Sequence, residues 1–197
     1  MVAGVGGSVE TAGDFASLVA CIEGSPVVAS KLAATALAAI RAGVITGEGP
    51  TTTGRIHFSR SIDAADTAMI HRILMAGAAA PVTRPEADAL FDIHEAALER
   101  ADGGAFDDLF AKAIAHHVLA EAGRRVPART TALSSETVLD DWAALDGGAI
   151  EGEVAAWLKT RLHRKRRNDG PLAALAVLVG AAASWSVSIT AAVDLAA

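Results

Sequence analysis

Apolar residues recur along this chain at spacings of three and four, the period of α-helices that each bury one face. The first such run covers residues 14–22 and stops at Gly24-Ser25-Pro26. The second covers 27–42, with Val28, Leu32, Ala36 and Ile40 four apart. Gly, Pro and Thr then crowd residues 43–54, a composition that reads as linker. A third helix starts at Ser61 or Asp63 and runs to Met75, with Ile62, Met69, Ile70, Ile73 and Leu74 along one face. Thr83-Arg-Pro-Glu86 has the form of a capping box, and a proline in the first turn forfeits no hydrogen bond there. That helix carries Leu90, Phe91, His94 and Leu98 on one stripe as far as Asp102-Gly-Gly104. Residues 106–120 follow, apolar at Phe106, Leu109, Phe110, Ala113, Ile114 and Leu119. Residues 123–131 read as a loop, and helices over 135–145, 151–167, 172–183 and 187–196 complete the chain. Strand-type alternation occurs only at 184–190, and one such run makes no sheet by itself. The expectation is therefore an all-α fold, a compact bundle of about eight or nine short helices, with no sheet of three or more strands.

Composition narrows the class. Of 197 residues 52% are hydrophobic and 20% charged, enough apolar material for a core and too much for disorder. A single cysteine excludes an internal disulfide and with it a cross-linked secreted scaffold. The net charge of −6 argues against a dedicated nucleic-acid binder. Residues 1–13 have no basic n-region before an apolar stretch and read as a flexible lead, so a cytoplasmic location is expected.

One segment raises the question of a membrane. Residues 171–193 carry no charge and follow the basic run Arg161-Leu-His-Arg-Lys-Arg-Arg167, which suits a span by length and flank. Its alanine content, Gly180, and the cluster Ser184, Ser186 and Ser188 suit it poorly. Sliding 15–40 onto 172–197 pairs Phe15 with Leu172, Leu18 with Leu175, Ile22 with Val179, Val28 with Trp185 and Leu32 with Ile189. The first copy contains Glu23 and Lys31, which a span would tolerate poorly. Two short buried helices broken around 184–186 are the expectation, with Trp185 anchored in the core.

Candidate chemistry is sparse. Asp146, Glu151 and Glu153 offer oxygen ligands to Ca²⁺ or Mg²⁺, yet the same residues suit a helix end, a turn and the acidic start of the next helix. His94, Glu95 and Glu99 on one helix and Asp107, His116 and His117 on the next form the richest ligand set, which a dinuclear iron or manganese centre could use. Such centres want Glu-x-x-His on two helices, and this chain has none. Cys21 falls in an apolar stripe and is expected in the core. Gly4-Val-Gly-Gly-Ser lacks the Gly-Lys-Ser/Thr ending of a phosphate loop. The basic residues of 159–167 close a helix, where positive charge meets the negative end of its dipole, and no aromatic is interleaved to stack bases. Trp142, Trp157 and Trp185 sit at core-facing positions.

Four stretches resemble the bacterial TerB-like family, named for tellurite resistance. They are Ile62-Asp-Ala-Ala-Asp with Met69-Ile-His-Arg-Ile-Leu74, Val82-Thr-Arg-Pro-Glu-Ala-Asp-Ala-Leu-Phe91, Asp107-Asp-Leu-Phe-Ala-Lys-Ala-Ile114, and Asp146-Gly-Gly-Ala-Ile-Glu-Gly-Glu-Val-Ala-Ala-Trp-Leu158. Thr46-Gly-Glu-Gly-Pro50 is similar to the junction between tandem units. The resemblance implies that residues 14–55 are a helical pair and linker from the tail of a first, truncated unit, and 56–197 a TerB-like helical domain. Family members place Asp-Gly turns before helices that begin with Glu, and hold divalent metal there. This chain has Ala76-Gly-Ala-Ala-Ala-Pro81 at one such turn, and no Glu after Asn168-Asp-Gly170. Only Asp146 to Glu153 keeps both parts. The implied role is a non-enzymatic stress-linked accessory or scaffold that works through protein partners or self-association, with no cofactor or a weakly bound divalent metal. A membrane-associated protein and a dinuclear metalloenzyme are the alternatives.

Overall fold

The computed structural model describes residues 12–25, 32–41, 61–77, 80–97, 99–100, 102–134, 150 and 152–164. Among them the chain is mostly helical, with seven helices, which agrees with the all-α expectation. They are α1 (Ala12–Gly24), α2 (residues 32–41), α3 (Ala64–Ala76), α4 (Arg84–Ala96), α5 (Ala105–Glu121), α6 (Arg129–Ser134) and α7 (Gly152–Arg164). The expected helices over 135–145, 172–183 and 187–196, the linker at 43–54, Trp142 and Trp185 lie outside the described residues.

Helix α5 is the axis of the fold. Every residue from Ala111 to Val118 is buried, so the helix is enclosed on all sides instead of presenting one stripe. Alanines at 111, 113 and 115 let α3, α4 and α6 approach it closely. Phe106, Phe110 and Ile114 belong to one core with Phe91, Ile93, Ile70 and Ile73, and Phe110 meets Phe91 edge-on. Helix α1 adds Phe15, Leu18, Val19 and Ile22, a stripe at spacings of three and four, and lies against α3. An exposed ion pair from Arg72 to Glu23 spans the rim of that contact at 2.6 Å.

Local sequence sets the helix starts. Asp63 caps α3: its carboxylate accepts from the Ala65 and Asp66 N–H groups, and Asp66 returns a bond to the Asp63 N–H. The Thr83–Glu86 capping box forms as expected, with the Thr83 N–H donating to Glu86 Oε2 at 2.7 Å. Asp102 holds the start of α5: it accepts from the N–H groups of Gly104 and Phe106 and from the Thr67 hydroxyl. Gly103 and Gly104 have φ of 68° and 91°, a region that costs a side chain energy, so this turn needs its two glycines.

Three features depart from expectation. Residues Ser61–Ile62 (β1) and Glu99–Arg100 (β2) pair as a two-residue parallel ladder, which periodicity cannot reveal at that length. Helix α6 begins at Arg129, inside the stretch read as loop. Cys21 is exposed, not in the core, because the buried stripe of α1 runs through Ile22 and successive helical side chains point about 100° apart. Trp157 is half-buried and packs against the core, edge-on to Phe91. No helix among the described residues is long and apolar enough to cross a membrane. Residues 171–193 lie outside them.

Candidate functional site

The unusual chemistry of the described residues lies beneath the connection between α3 and α4. Arg129 enters the core from the first turn of α6 and is 1% exposed. Its partner Glu86, in the first turn of α4, is 0% exposed. The two meet in a bidentate pair, Nη1 to Oε1 and Nη2 to Oε2, each at 2.9 Å. The remaining guanidinium N–H groups donate to backbone carbonyls: Nε to Ala80, Nη1 to Leu74 and Nη2 to Pro81. All five arginine donors are thereby used. Glu86 also accepts the Thr83 N–H and hydroxyl, so capping box and ion pair share one carboxylate. Burying two charges is offset only by such complete pairing.

Two histidines of α5 grip the next residue. Val82 donates its N–H to His116 Nδ1 at 3.3 Å, and its carbonyl accepts from His117 Nδ1 at 2.9 Å. An amide N–H can only donate and a carbonyl can only accept, so both tautomers follow. His116 carries its proton on Nε2, which donates to the Pro127 carbonyl at 3.0 Å. His117 carries its proton on Nδ1, and its buried Nε2 has no hydrogen-bond partner. Burial pushes both histidines below the ordinary value, against the raising effect of those carbonyl bonds. His71, half-buried on α3, is lowered by burial and by the Lys112 ammonium.

Gly77 closes the cluster. A Cβ there would collide with Arg129 Nη1. Its φ of −81° suits any residue, so the need for glycine is one of space. Gly77→Ala should cost about 1–3 kcal/mol in urea denaturation, because the arginine cannot swing away without breaking its bonds. In an Arg129→Met background the same substitution should cost far less.

His94 is fully buried on α4, with Nε2 3.1 Å from Asp107 Oδ1 and its ring against Phe106 and Phe110. Asp107 therefore joins His94, whereas His116 and His117 are turned to Val82. Glu95 is exposed. The side chain of Glu99 lies outside the described residues, as do Asp146 and Glu151. Glu153 is exposed in the first turn of α7. Among the described residues no three His, Cys, Asp or Glu side chains gather closely enough to hold a metal ion.

A second cluster fastens α7. Asp88 and Asp92, four apart on α4, receive Arg161, and Asp88 also accepts the Trp157 indole N–H at 2.8 Å. Arg84 sits over the Trp157 ring, 5.0 Å from its centroid.

Sequence reasoning missed Arg129 and gave Glu86 only its capping role. The available signal was weak: a carboxylate already used in a capping box, and two adjacent histidines inside an otherwise apolar helix. Comparison with family models, with curated proteins and with solved structures finds no match to this chain.

Proposed function

We propose that the chain is a non-enzymatic helical accessory protein of TerB-like character, acting through protein contacts or self-association and holding divalent metal weakly at most. One observation carries this reading: the Arg129–Glu86 pair, the most costly charges in the core, is saturated by bonds within the protein. Charges spent in that way organise the α3–α4–α6 junction and leave no donor directed at a substrate. The resemblance of residues 62–114 and 146–158 to the TerB-like family supplies the stress-linked role.

The test is survival of the source organism on tellurite with the gene deleted and then restored. Deletion should lower survival, and restoration with the wild-type chain or with Glu153→Gln should recover it. Unchanged survival on deletion would overturn the assignment. For the metal, calorimetric titration with Ca²⁺ and with Mg²⁺ should show dissociation constants weaker than about 10⁻⁵ M, since three carboxylates are few for a tight site. A sub-micromolar calcium site lost in Asp146→Ala or Glu153→Ala would contradict it.

A further inference from the structure

We propose that the grip of His116 and His117 on Val82 is an acid-released latch, which frees Val82 while Arg129 and Glu86 keep hold of the residues on either side of it and the helices stay folded. The geometry carries the argument. Val82 is held at both ends of its residue: His116 accepts its N–H at Nδ1 and must be neutral to do so, and His117 donates to its carbonyl from Nδ1. A second proton on His116 has only Nδ1 to occupy, and there it meets the Val82 N–H, donor against donor. A second proton on His117 would sit on Nε2, which is buried and has no hydrogen-bond partner. Neither charged form fits the closed arrangement.

The surrounding charges do not relieve this. His116 faces Arg129 from α6, Glu86 from α4 and His117 from its own helix. The Glu86 carboxylate is already engaged by that arginine. His117 faces Arg84 and Asp88 from α4 and Glu121 from α5, and α7 covers it with Trp157, ring to ring at 5.0 Å. Asp88 is itself taken by Arg161 and the Trp157 indole.

The direction of the pH effect follows. Both histidines are held below their ordinary value, chiefly by burial. The open form therefore binds more protons than the closed form once pH falls below about 6.5, and the closed form loses stability from there downward. The Arg129 guanidinium bridges Glu86 and the Ala80 and Pro81 carbonyls with no histidine in the chain of bonds, so opening is confined to Val82.

Nitrogen-15 spectra of the histidine rings, recorded alongside amide hydrogen exchange, test the latch on the full chain. At neutral pH the rings should report the Nε2–H form for His116 and the Nδ1–H form for His117. Between about pH 7.5 and about pH 4.5 the Val82 amide should lose protection by about tenfold or more, after correction for intrinsic exchange. The loss should track the His116 ring titration while Ile114 in α5 stays protected. His116→Asn, which offers a non-titrating acceptor near the Nδ1 position, should flatten the profile. A flat wild-type profile, joint loss at Val82 and Ile114, or an unchanged profile in His116→Asn overturns the proposal. Should that variant fail to fold, the wild type decides: ring and amide midpoints more than about one pH unit apart also overturn it.

Discussion

Arg129→Met should destabilise the protein by about 3–5 kcal/mol in urea denaturation, the scale of removing one partner from a buried ion pair. The substitution keeps much of the side chain's apolar volume, so the loss is electrostatic. Glu86 would be left fully buried without its bidentate partner, and the Leu74, Ala80 and Pro81 carbonyls would lose a donor. The double variant Arg129→Met/Glu86→Met should recover part of that loss, because a buried pair exchanged for apolar residues is often neutral. Recovery should be incomplete, since Thr83 loses its capping partner in the same change. A cost below about 1 kcal/mol for Arg129→Met, the scale of an exposed pair, would show that the pair lies open to water.

The second large effect is expected at Phe110. Phe110→Ala should cost about 3–5 kcal/mol, the upper range for core truncation. Phe110 is 0% exposed, edge-on to Phe91 at 5.1 Å between centroids, and 4.6 Å from the His94 ring. The alanines at 111 and 113 are too short to reach into the cavity and the enclosing helices are fixed by capping and ion pairs, so little can move in. Phe110→Leu should cost distinctly less. Equal costs for the two would mean that the site collapses freely around the deletion.

Much of this fold was legible because α3, α4 and α5 announce themselves locally. Each has apolar spacing of three and four and a recognisable start, at Asp63, Thr83 and Asp102. The Thr83–Glu86 box could be named from four residues because both of its bonds are local. What was hidden depends on distance along the chain. Arg129 is one of many arginines and sits in a stretch with loop composition; its partners are 43 to 55 residues upstream. Nothing near Arg129 distinguishes it from a solvated arginine until α6 folds against α3. Cys21 was misplaced for a smaller reason, since a stripe through Phe15, Leu18, Val19 and Ile22 passes one residue away from it. His116 and His117 were visible as metal-ligand types, but Val82, which they bind, offers only backbone atoms, and backbone partners leave no trace in composition.

The separation of 43 positions from Glu86 to Arg129 also sets a waiting time during synthesis. At ~5–20 residues per second, the glutamate leaves the ribosome roughly 2–9 s before the arginine that neutralises it. Through that interval α3, α4 and α5 can collapse together only by burying an uncompensated carboxylate or by leaving it wet. A chain cut short before Arg129 therefore leaves the Glu86 carboxylate without its partner, and the shortest chain that restores the pair on its own helix is one that includes α6.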